Sequence, residues 1–537
     1  MTHIDGHAGQ QTVAALQQFG TDVMFTLNGG HIWPFYDAAR DRGMRVIDTR
    51  HEQSAGFAAE AYAKLTRRPG LAALTAGPGV TNGVSAVTSA MFNGAPVVVL
   101  GGRAPEGRWG AGSLQEFDHV PVLAPITKLA ATVKDPAAAG RLVHEAASIA
   151  ATPHRGPVFL DFPLDVFGPS AGEVPDGGAA SSPAPDPEAV AGLGGLVAGA
   201  ERPAFLVGSD AYWDGAWDEL AAAATALGVP CFFNGLGRGM LPADHSHAFL
   251  RTRGLLKQRA DLVVVIGTPL DFRVGFGRFG DAKVAHVVDA DSQRAGHVDA
   301  VTVVGDIAAT LAGLAEYSGD RVDHASWLAE LRDAEEAARA AELPLLEADD
   351  AAIKPTRVYG ELRKRLDRDA IVICDGGDFV SYAGKYVEVH QPGGWLDTGP
   401  YGCLGNGTGY AMAARAVHPD KQIVVMFGDG AVGFSLMDVD SLVRHNLPVV
   451  MVVGNNGIWG LEKHPMQMIY GWDMACDLQP ATPYDEVVKS LGGGGETVTS
   501  PDEIGPALDR AFASGVPYLV NVMTDPADVY PRSSNLA

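Results

Sequence analysis

One local pattern recurs along the whole chain: a short run of β-branched and other apolar residues, then glycine or polar residues, then an alanine-rich helical stretch. This alternation predicts βαβ units around a parallel sheet. In the first third of the chain we predict a helix over Ser54–Leu65 and strands over Val23–Leu27, Val46–Thr49, Leu71–Thr75, Val97–Leu100 and Val158–Phe162.

The pattern divides into three blocks, as expected because 537 residues are too many for one hydrophobic core. A segment rich in Pro, Gly, Ala and Ser separates the first two blocks, which is linker composition. We therefore predict three doubly wound α/β domains with parallel sheets, at residues 1–168, 189–335 and 356–537, joined by linkers at 169–188 and 336–355. The later predicted elements are a helix over Ser326–Leu346 and strands over Ala204–Val207, Leu262–Ile266, Ala285–Val288, Val301–Val304, Ile371–Cys374, Ile423–Phe427, Val449–Val453 and Tyr518–Val522.

The net charge of −24 argues against nucleic acid and anionic membranes as partners. No apolar run has the length of a membrane span, and the N-terminus lacks the pattern of a signal peptide, so we expect a cytoplasmic protein. The four cysteines are scattered without a CxxC pair and predict neither a zinc site nor a disulfide framework.

The most informative segment runs from residue 422 to residue 463. A predicted strand ends in Gly428-Asp429-Gly430, a helix follows, and the next strand ends in Asn455-Asn456. The carboxyl ends of neighbouring parallel strands share one edge of a sheet, where ligands bind. Asp429 and Asn456 are thus able to offer two oxygens to a hard cation such as Mg²⁺, beside glycines that let a diphosphate approach the backbone.

This segment resembles the binding motif of the thiamine diphosphate enzymes, a superfamily that includes decarboxylases, acetohydroxyacid synthases and 2-hydroxyacyl-CoA lyases. The resemblance covers the whole chain, in the order pyrimidine-binding, central and diphosphate-binding domain. It implies Mg²⁺ ligation by the side chains of Asp429 and Asn456 and by the backbone carbonyl of Ile458. The neighbouring residues that it places at the cofactor are Gly428, Gly430, Ala431 and Trp459.

The segment RHEQSAGFAAEAYAK resembles the family stretch that bears the activating glutamate, and Glu52 is the matching position. A carboxylate there binds N1′ of the aminopyrimidine and favours the tautomer that deprotonates the thiazolium. The alternative role of Glu52 is favourable interaction with a helix N-terminus. The stretch LTAGPGVTNG looks like the family turn in which Gly77, Pro78, Gly79 and Asn82 shape the pyrimidine pocket, although glycines at a turn also have a purely structural explanation.

Three further cofactor contacts follow from the resemblance. Leu404 matches the large apolar residue that supports the bent cofactor, with an ordinary core leucine as the alternative. Asp378 and Ser381 follow a strand of the third block and are candidate diphosphate contacts. In this superfamily the pyrimidine-binding and diphosphate-binding domains of different subunits face each other, so a homodimer is the implied minimum and a homotetramer is common.

Three reactions compete among the relatives: acetolactate synthesis, 2-hydroxyacyl-CoA cleavage and pyruvate-type decarboxylation. The stretch GDGAVGFSLMDVDSLVRHNLPV looks most like the CoA-using group, so the sequence favours cleavage of a 2-hydroxyacyl-CoA to formyl-CoA plus an aldehyde or ketone. Acetolactate synthesis from pyruvate is the alternative, and loss of catalysis in a structural subunit is the alternative of another class. Glu462 is the candidate acid/base, and Gln115 and His31 are candidate pocket residues; each also has a structural explanation.

The central block resembles the family domain that carries FAD in synthases and ADP in CoA-using relatives. Arg273, Asp289 and Asp291 follow its predicted strands and are candidates for that nucleotide, with salt bridges or a site without nucleotide as alternatives. In the C-terminal tail, Arg532 is a candidate contact for a CoA phosphate, with an exposed arginine on a frayed tail as the alternative.

Overall fold

A computed structural model of the protein describes residues 1–178 and 181–531. The N-terminal domain contains a six-stranded parallel sheet in the order β3-β2-β4-β5-β7-β6 and a separate two-stranded sheet of β1 and β8. Its strands are β1 (Thr2–His7), β2 (Val23–Leu27), β3 (Arg45–Asp48), β4 (Gly70–Leu74), β5 (Val97–Arg103), β6 (Leu129–Thr132), β7 (Val158–Pro163) and β8 (Pro169–Val174). Its helices are α1 (Ala8–Gln17), α2 (Trp33–Asp41), α3 (Glu52–Thr66), α4 (Pro78–Asn82), α5 (Val84–Phe92), α6 (Val120–Leu123) and α7 (Ala139–Ala151).

The central domain has a five-stranded parallel sheet in the order β10-β9-β11-β12-β13. Its strands are β9 (Pro203–Val207), β10 (Cys231–Phe233), β11 (Leu262–Ile266), β12 (Lys283–Val288) and β13 (Val301–Val304). Its helices are α8 (Pro187–Gly199), α9 (Ser209–Trp213), α10 (Trp217–Leu227), α11 (Leu256–Arg259), α12 (Ile307–Ala315) and α13 (Ala325–Leu346).

The C-terminal domain has a six-stranded parallel sheet in the order β15-β14-β16-β17-β19-β18. Its strands are β14 (Ile371–Asp375), β15 (Trp395–Leu396), β16 (Ile423–Gly428), β17 (Val450–Asn455), β18 (Gly494–Val498) and β19 (Tyr518–Met523). Its helices are α14 (Pro355–Leu362), α15 (Asp378–Ser381), α16 (Ala383–Tyr386), α17 (Gly407–Val417), α18 (Asp429–Val432), α19 (Val439–Arg444), α20 (Gly460–Tyr470), α21 (Tyr484–Ser490) and α22 (Pro501–Ala513).

The predicted α/β class with three parallel sheets is confirmed. Strands such as β5, β11, β16 and β17 are buried at every position, because helices cover both faces of a doubly wound sheet. In each domain the strand order reverses between the first and third strand of the parallel sheet: β2 and β4, β9 and β11, β14 and β16. These three reversal points are the places where ligands are expected.

Two segments predicted as linkers contain regular structure. Residues Pro169–Val174 form β8, which pairs antiparallel with β1 and therefore packs with the N-terminal domain. The second segment is helical as far as Leu346, because α13 continues into it. Among the described residues, no helix has the length and apolar character needed to cross a membrane.

The N-terminal and C-terminal domains meet where α3 packs against α17. Lys64 on α3 is 2% exposed and lies 2.9 Å from the Glu60 carboxylate, which is fully buried. The Lys64 ammonium also donates to the Tyr410 hydroxyl on α17 at 2.7 Å and to the Asp397 carbonyl at 3.2 Å. This buried ion pair therefore joins the two domains through hydrogen bonds that reach beyond its own helix.

We expect Lys64→Met to lower the free energy of unfolding by about 3–5 kcal/mol, because Glu60 would remain as a buried charge without its partner. Urea denaturation of the intact protein measures the loss. The double variant Glu60→Gln/Lys64→Met removes both charges and should be more stable than Lys64→Met alone. Equal stability of the two variants would contradict a role for the buried charge.

Candidate functional site

The reversal point of the C-terminal sheet carries the strongest sequence motif. Asp429 follows β16, and its Oδ1 and Oδ2 accept hydrogen bonds from the backbone N–H groups of Gly430 at 2.9 Å and Gly457 at 2.6 Å. Gly457 comes directly after Asn456, at the end of β17. The structure thus brings the two predicted cation ligands together at one edge of the sheet.

A neighbouring carboxylate fixes the orientation of the Asn456 side chain. Its Nδ2 donates to Asp378 Oδ2 at 2.9 Å, while its Oδ1 accepts from the N–H of Ile458 at 3.2 Å. Asp378 therefore orients the Asn456 amide, so that the amide oxygen faces the loop that contains Ile458. This contact gives Asp378 a positioning role beside the diphosphate contact that the sequence suggests.

The donor set fits a hard divalent cation. Burial raises the pKa of Asp429 to about 6 and also raises the pKa of Asp378. Both carboxylates hydrogen-bond to N–H groups of uncharged residues, so the site concentrates negative charge and amide oxygen. Mg²⁺ prefers such oxygen ligands and takes the remainder from phosphates and water.

Glycines form a cradle beside this site. Gly376 and Gly377 have φ of +47° and +99°, a region that favours glycine, and a Cβ on Gly376 would lie 1.9 Å from Leu404 Cδ2. A Cβ on Gly430 would lie 2.4 Å from the Trp459 ring. Trp459 therefore lies directly over the backbone of the GDG segment. Added side chains are excluded at Gly376 and Gly430.

A cavity of about 760 Å³ opens over this cradle. Four of the residues that the sequence predicts lie in its wall: Ser381, Leu404, Trp459 and Glu462. Ser381 Oγ donates to the Gly377 carbonyl at 2.9 Å, which braces the cradle. The predicted residues Gly428 and Ala431 lie at the end of β16 and within α18, where the Gly428 N–H donates to the Gly376 carbonyl at 3.3 Å.

The predicted activating glutamate begins α3. Glu52 is 7% exposed, and its Oε2 accepts a hydrogen bond from Asn82 Nδ2 at 3.0 Å. Asn82 is the last residue of α4, which starts with Pro78 directly after Gly77. The structure therefore brings together the glutamate and the turn that were predicted to surround one aminopyrimidine.

A buried network behind this turn was not predicted from the sequence. The N–H of Gly77, whose φ is +62°, donates to His119 Nε2 at 2.9 Å. His119 Nδ1 lies 3.1 Å from Asp161 Oδ2, which also accepts from Arg103 at 3.0 Å. Since Nε2 accepts the Gly77 N–H, the ring donates from Nδ1 to Asp161. No motif marks His119, because it lies 42 residues from Gly77 along the chain.

A second cavity, of about 510 Å³, lies beside the turn and is lined by both His31 and Gln115. Burial and the neighbouring His119 lower the pKa of His31, which favours its uncharged form. Gln115 has a φ of +59° and packs over Gly77, where an added Cβ would meet Gln115 Cβ at 3.0 Å. This cavity and the cavity over the glycine cradle share no lining residue.

The structure does not gather the predicted nucleotide residues around either of these cavities. Arg273 binds Asp271, with its Nη2 2.7 Å from Asp271 Oδ2. Asp291 pairs with Arg294, and Asp289 is fully buried beside His154. The predicted CoA contact, Arg532, lies outside the described residues.

Comparison with known proteins identifies all three domains. The chain matches the N-terminal TPP binding domain of thiamine pyrophosphate enzymes over residues 6–122, their central domain over 191–314 and their C-terminal TPP binding domain over 375–522. These matches fall on the three sheets described above.

Relatives match nearly the full length. The chain is 49% identical to a probable acetolactate synthase of Mycobacterium bovis and to the acetolactate synthase large subunit IlvG of Mycobacterium tuberculosis, over 99% of this chain and 98% of each relative. It is 33% identical to 2-hydroxyacyl-CoA lyase 2 of Caenorhabditis elegans, over 94% of this chain and 87% of that protein. The sequence motifs favour the lyase group, whereas the higher identity is to the synthases.

We expect Mg²⁺ affinity to fall as the pH drops below about 6, because a proton then occupies the Asp429 carboxyl whose pKa burial raises to that value. Above that pH the carboxylate is free for the cation. Titration with Mg²⁺ at fixed thiamine diphosphate, at pH 5.5 and 7.5, measures the change. Asp429→Asn keeps the shape of the side chain, and it should bind weakly at both pH values. The same pH dependence in that variant would contradict the assignment.

We expect His119→Leu to weaken binding of thiamine diphosphate, because the buried Gly77 N–H loses its acceptor at a cost of about 1–3 kcal/mol. His119→Gln can still accept that hydrogen bond through its amide oxygen and should retain more affinity. Calorimetric titration of both variants, with thermal unfolding recorded alongside, tests this. Equal affinities in the two variants would show that the Gly77 contact does not position the turn.

Proposed function

This chain belongs to the thiamine pyrophosphate enzyme family, and from that premise we propose that it is an acetolactate-forming carboligase dependent on thiamine diphosphate and Mg²⁺. It would join two pyruvate molecules with release of one CO₂. The observation that carries the proposal is the 49% identity to two mycobacterial proteins named as acetolactate synthases, over 99% of this chain. The contact of Asp429 with Gly457, next to Asn456, and the contact of Glu52 with Asn82 support it, since the cofactor needs oxygen ligands for Mg²⁺ and a carboxylate for its aminopyrimidine.

Bound thiamine diphosphate would supply the carbon nucleophile and the electron sink for making or breaking a bond next to a carbonyl. The role that we assign to Glu52 is to hold a proton at N1′ of the aminopyrimidine. Its Oε2 is bonded to Asn82, which leaves Oε1 for this contact. Burial at 7% exposure keeps water from competing for the same carboxylate.

The C-terminal domain would anchor the diphosphate. Asp429 and Asn456 would provide side-chain oxygens for Mg²⁺, and the Ile458 carbonyl would provide a third. Asp378 holds the Asn456 amide so that its oxygen faces the loop that contains Ile458. Leu404 closes over Gly376 and would support the cofactor from below.

Three further residues would face the substrate. Glu462 lies in the first turn of α20 and lines the cavity over the glycine cradle, where it is placed to exchange a proton with a bound carbonyl or hydroxyl. His31 and Gln115 line the second cavity and would contribute uncharged polar contacts.

We propose that the working unit is a homodimer at minimum. The glycine cradle and Glu462 line one cavity, whereas His31 and Gln115 line another, and no residue is common to both. In a pair of copies, the glycine-cradle cavity of each copy would face the His31 cavity of the other copy. The pair would then contain two identical sites. Such pairing suits a two-fold symmetric interface, in which each copy uses the same two surfaces.

A second candidate activity is cleavage of 2-hydroxyacyl-CoA to formyl-CoA. The specific observation in its favour is the 33% identity to 2-hydroxyacyl-CoA lyase 2 of Caenorhabditis elegans, over 94% of this chain. The segment Gly433-Phe434-Ser435, next to the Mg²⁺ ligands, carries the sequence resemblance to that group.

We expect the protein with thiamine diphosphate and Mg²⁺ to form acetolactate from pyruvate, and Glu52→Gln to lower that rate by roughly 100-fold or more, since proton transfer contributes at least that factor. Mass spectrometry of acetolactate measures it, with Glu145→Gln on the exposed face of α7 as the control.

Parallel reactions with 2-hydroxyacyl-CoA esters decide between the two candidates. Formyl-CoA released faster than acetolactate, and lost in Glu52→Gln, would replace the synthase proposal with the lyase. If neither product forms although the protein still binds thiamine diphosphate, both activities are refuted.

A further inference from the structure

The reversal point of the central sheet lies between β9 and β11, and in a doubly wound sheet a nucleotide is expected at the carboxyl ends of these two strands. The strands end in Ile266-Gly267-Thr268 and in Val207-Gly208. The residues around this point determine whether the central domain has room and suitable charge for such a ligand.

The two strand ends are joined by direct backbone contact. The N–H of Asp210 donates to the Gly267 carbonyl at 2.8 Å, and the N–H of Gly208 donates to the Ile266 carbonyl at 2.8 Å. A Cβ on Gly208 would lie 2.3 Å from Thr268 Cβ, and one on Gly267 would lie 2.5 Å from the Ala211 nitrogen. The glycines at this point thus serve the approach of one loop to the other.

The charge at this point is also unsuitable for a nucleotide. In nucleotide-binding sheets the phosphates lie at the start of the helix that follows the first strand. Here the segment after β9 carries Asp210 and Asp214, which are almost entirely buried. Burial and the nearby Asp289 raise the pKa of Asp210 to about 7, so the surroundings disfavour the negative charge of Asp210 itself.

Asp289, one of the two aspartates that the sequence offers to a nucleotide, is paired with a residue of another domain. Asp289, at the end of β12, is fully buried, and both of its oxygens lie 3.3 Å from His154 Nδ1. Asp210 Oδ1 lies 3.6 Å from the same nitrogen. His154 belongs to the loop between α7 and β7 of the N-terminal domain, so the contact spans two domains.

Other cations of the N-terminal domain complete the cluster. Arg155 Nη2 lies 3.0 Å from Asp214 Oδ1. Lys128 donates to the carbonyl of His154 at 2.8 Å and so holds the loop in place. Three aspartates of the central domain therefore face His154, Arg155 and Lys128, and the opposite charges are balanced within the protein.

We propose that the central domain of this chain binds neither FAD nor ADP, and that His154 and Arg155 of the N-terminal domain fill that position as an interdomain ion-pair cluster. The proposal does not rest on the choice between the two candidate activities. It is compatible with acetolactate synthesis, because the joining of two pyruvates with release of CO₂ involves no net oxidation or reduction.

His154, Asp210 and Asp289 also have ligand atoms within 4.8 Å of one another, which is close enough for a metal ion. We favour the ion-pair cluster because His154 Nδ1 faces both carboxylates as a donor and because Lys128 and Arg155 already supply positive charge. A bound metal is therefore an outcome that would overturn the proposal.

The first test uses the intact protein, purified with thiamine diphosphate and Mg²⁺ and then denatured to release its ligands. We expect mass spectrometry to find thiamine diphosphate without stoichiometric FAD or ADP, and elemental analysis to find no metal at this cluster. Calorimetric titration with FAD and with ADP should show no saturable binding. About one FAD or ADP per chain, or a metal lost in His154→Ala, would overturn the proposal.

The second test addresses the cluster as an interdomain contact. His154→Ala and Asp289→Asn should each lower the thermal midpoint, and the double variant should fall by less than the sum of the two, because both changes remove one shared interaction. His3→Ala, an exposed histidine of β1, is the matched control and should leave the midpoint unchanged. Additive effects of His154→Ala and Asp289→Asn would show that the two residues do not act together.

Discussion

The position of Glu52 depends on the close packing of α3 against α17, because this contact places the start of α3 beside the C-terminal domain. Gly409 of α17 makes the approach feasible: a Cβ there would lie 2.6 Å from the Ser54 carbonyl. Ser54 Oγ donates to Asp438 Oδ2 at 2.6 Å, and the Glu60–Lys64 pair lies further along the same helix. A shift or rotation of α3 would therefore break buried polar contacts before it moved Glu52, so the core of the molecule fixes the position of Glu52.

The first four strands of the parallel sheet have the same order in all three domains, and the reversal point of that order carries different residues in each. In the C-terminal domain it carries the oxygens of Asp429 and Asn456 and a glycine cradle suited to a diphosphate. In the N-terminal domain it carries the Gly77 turn that leads to Asn82 and Glu52. In the central domain the same position carries backbone contacts between the two loops and an ion pair of Asp289 with His154 of the neighbouring domain. The fold provides the reversal point, whereas a few local residues determine whether a ligand binds there and which ligand it is.

Sequence reasoning recovered the features that depend on neighbours along the chain. The buried strand Leu262–Ile266 is a continuous apolar run, and its predicted range agrees with the structure. The placement of Asp429 and Asn456 follows from strand ends that share an edge. The hydrogen bond of His119 to Gly77 was not predictable, because 42 residues separate the partners. The pairing of β1 with β8 joins residues more than 150 positions apart, and β8 was hidden in a segment whose composition is typical of linkers. Contacts of this kind carry no local pattern.

Trp459 lies directly over Gly430, so the residue that fits at one of these positions depends on the residue at the other. A Cβ at position 430 would lie 2.4 Å from the Trp459 indole. A serine at 430 therefore requires a smaller residue at 459, and a tryptophan at 459 requires glycine at 430. A larger residue introduced first at 430 would clash with the indole, whereas a smaller residue introduced first at 459 would leave the backbone of Gly430 uncovered. Among homologues the two positions should consequently vary as a pair, and exchanging the motif of one relative for that of another should succeed only when both residues are transferred at once.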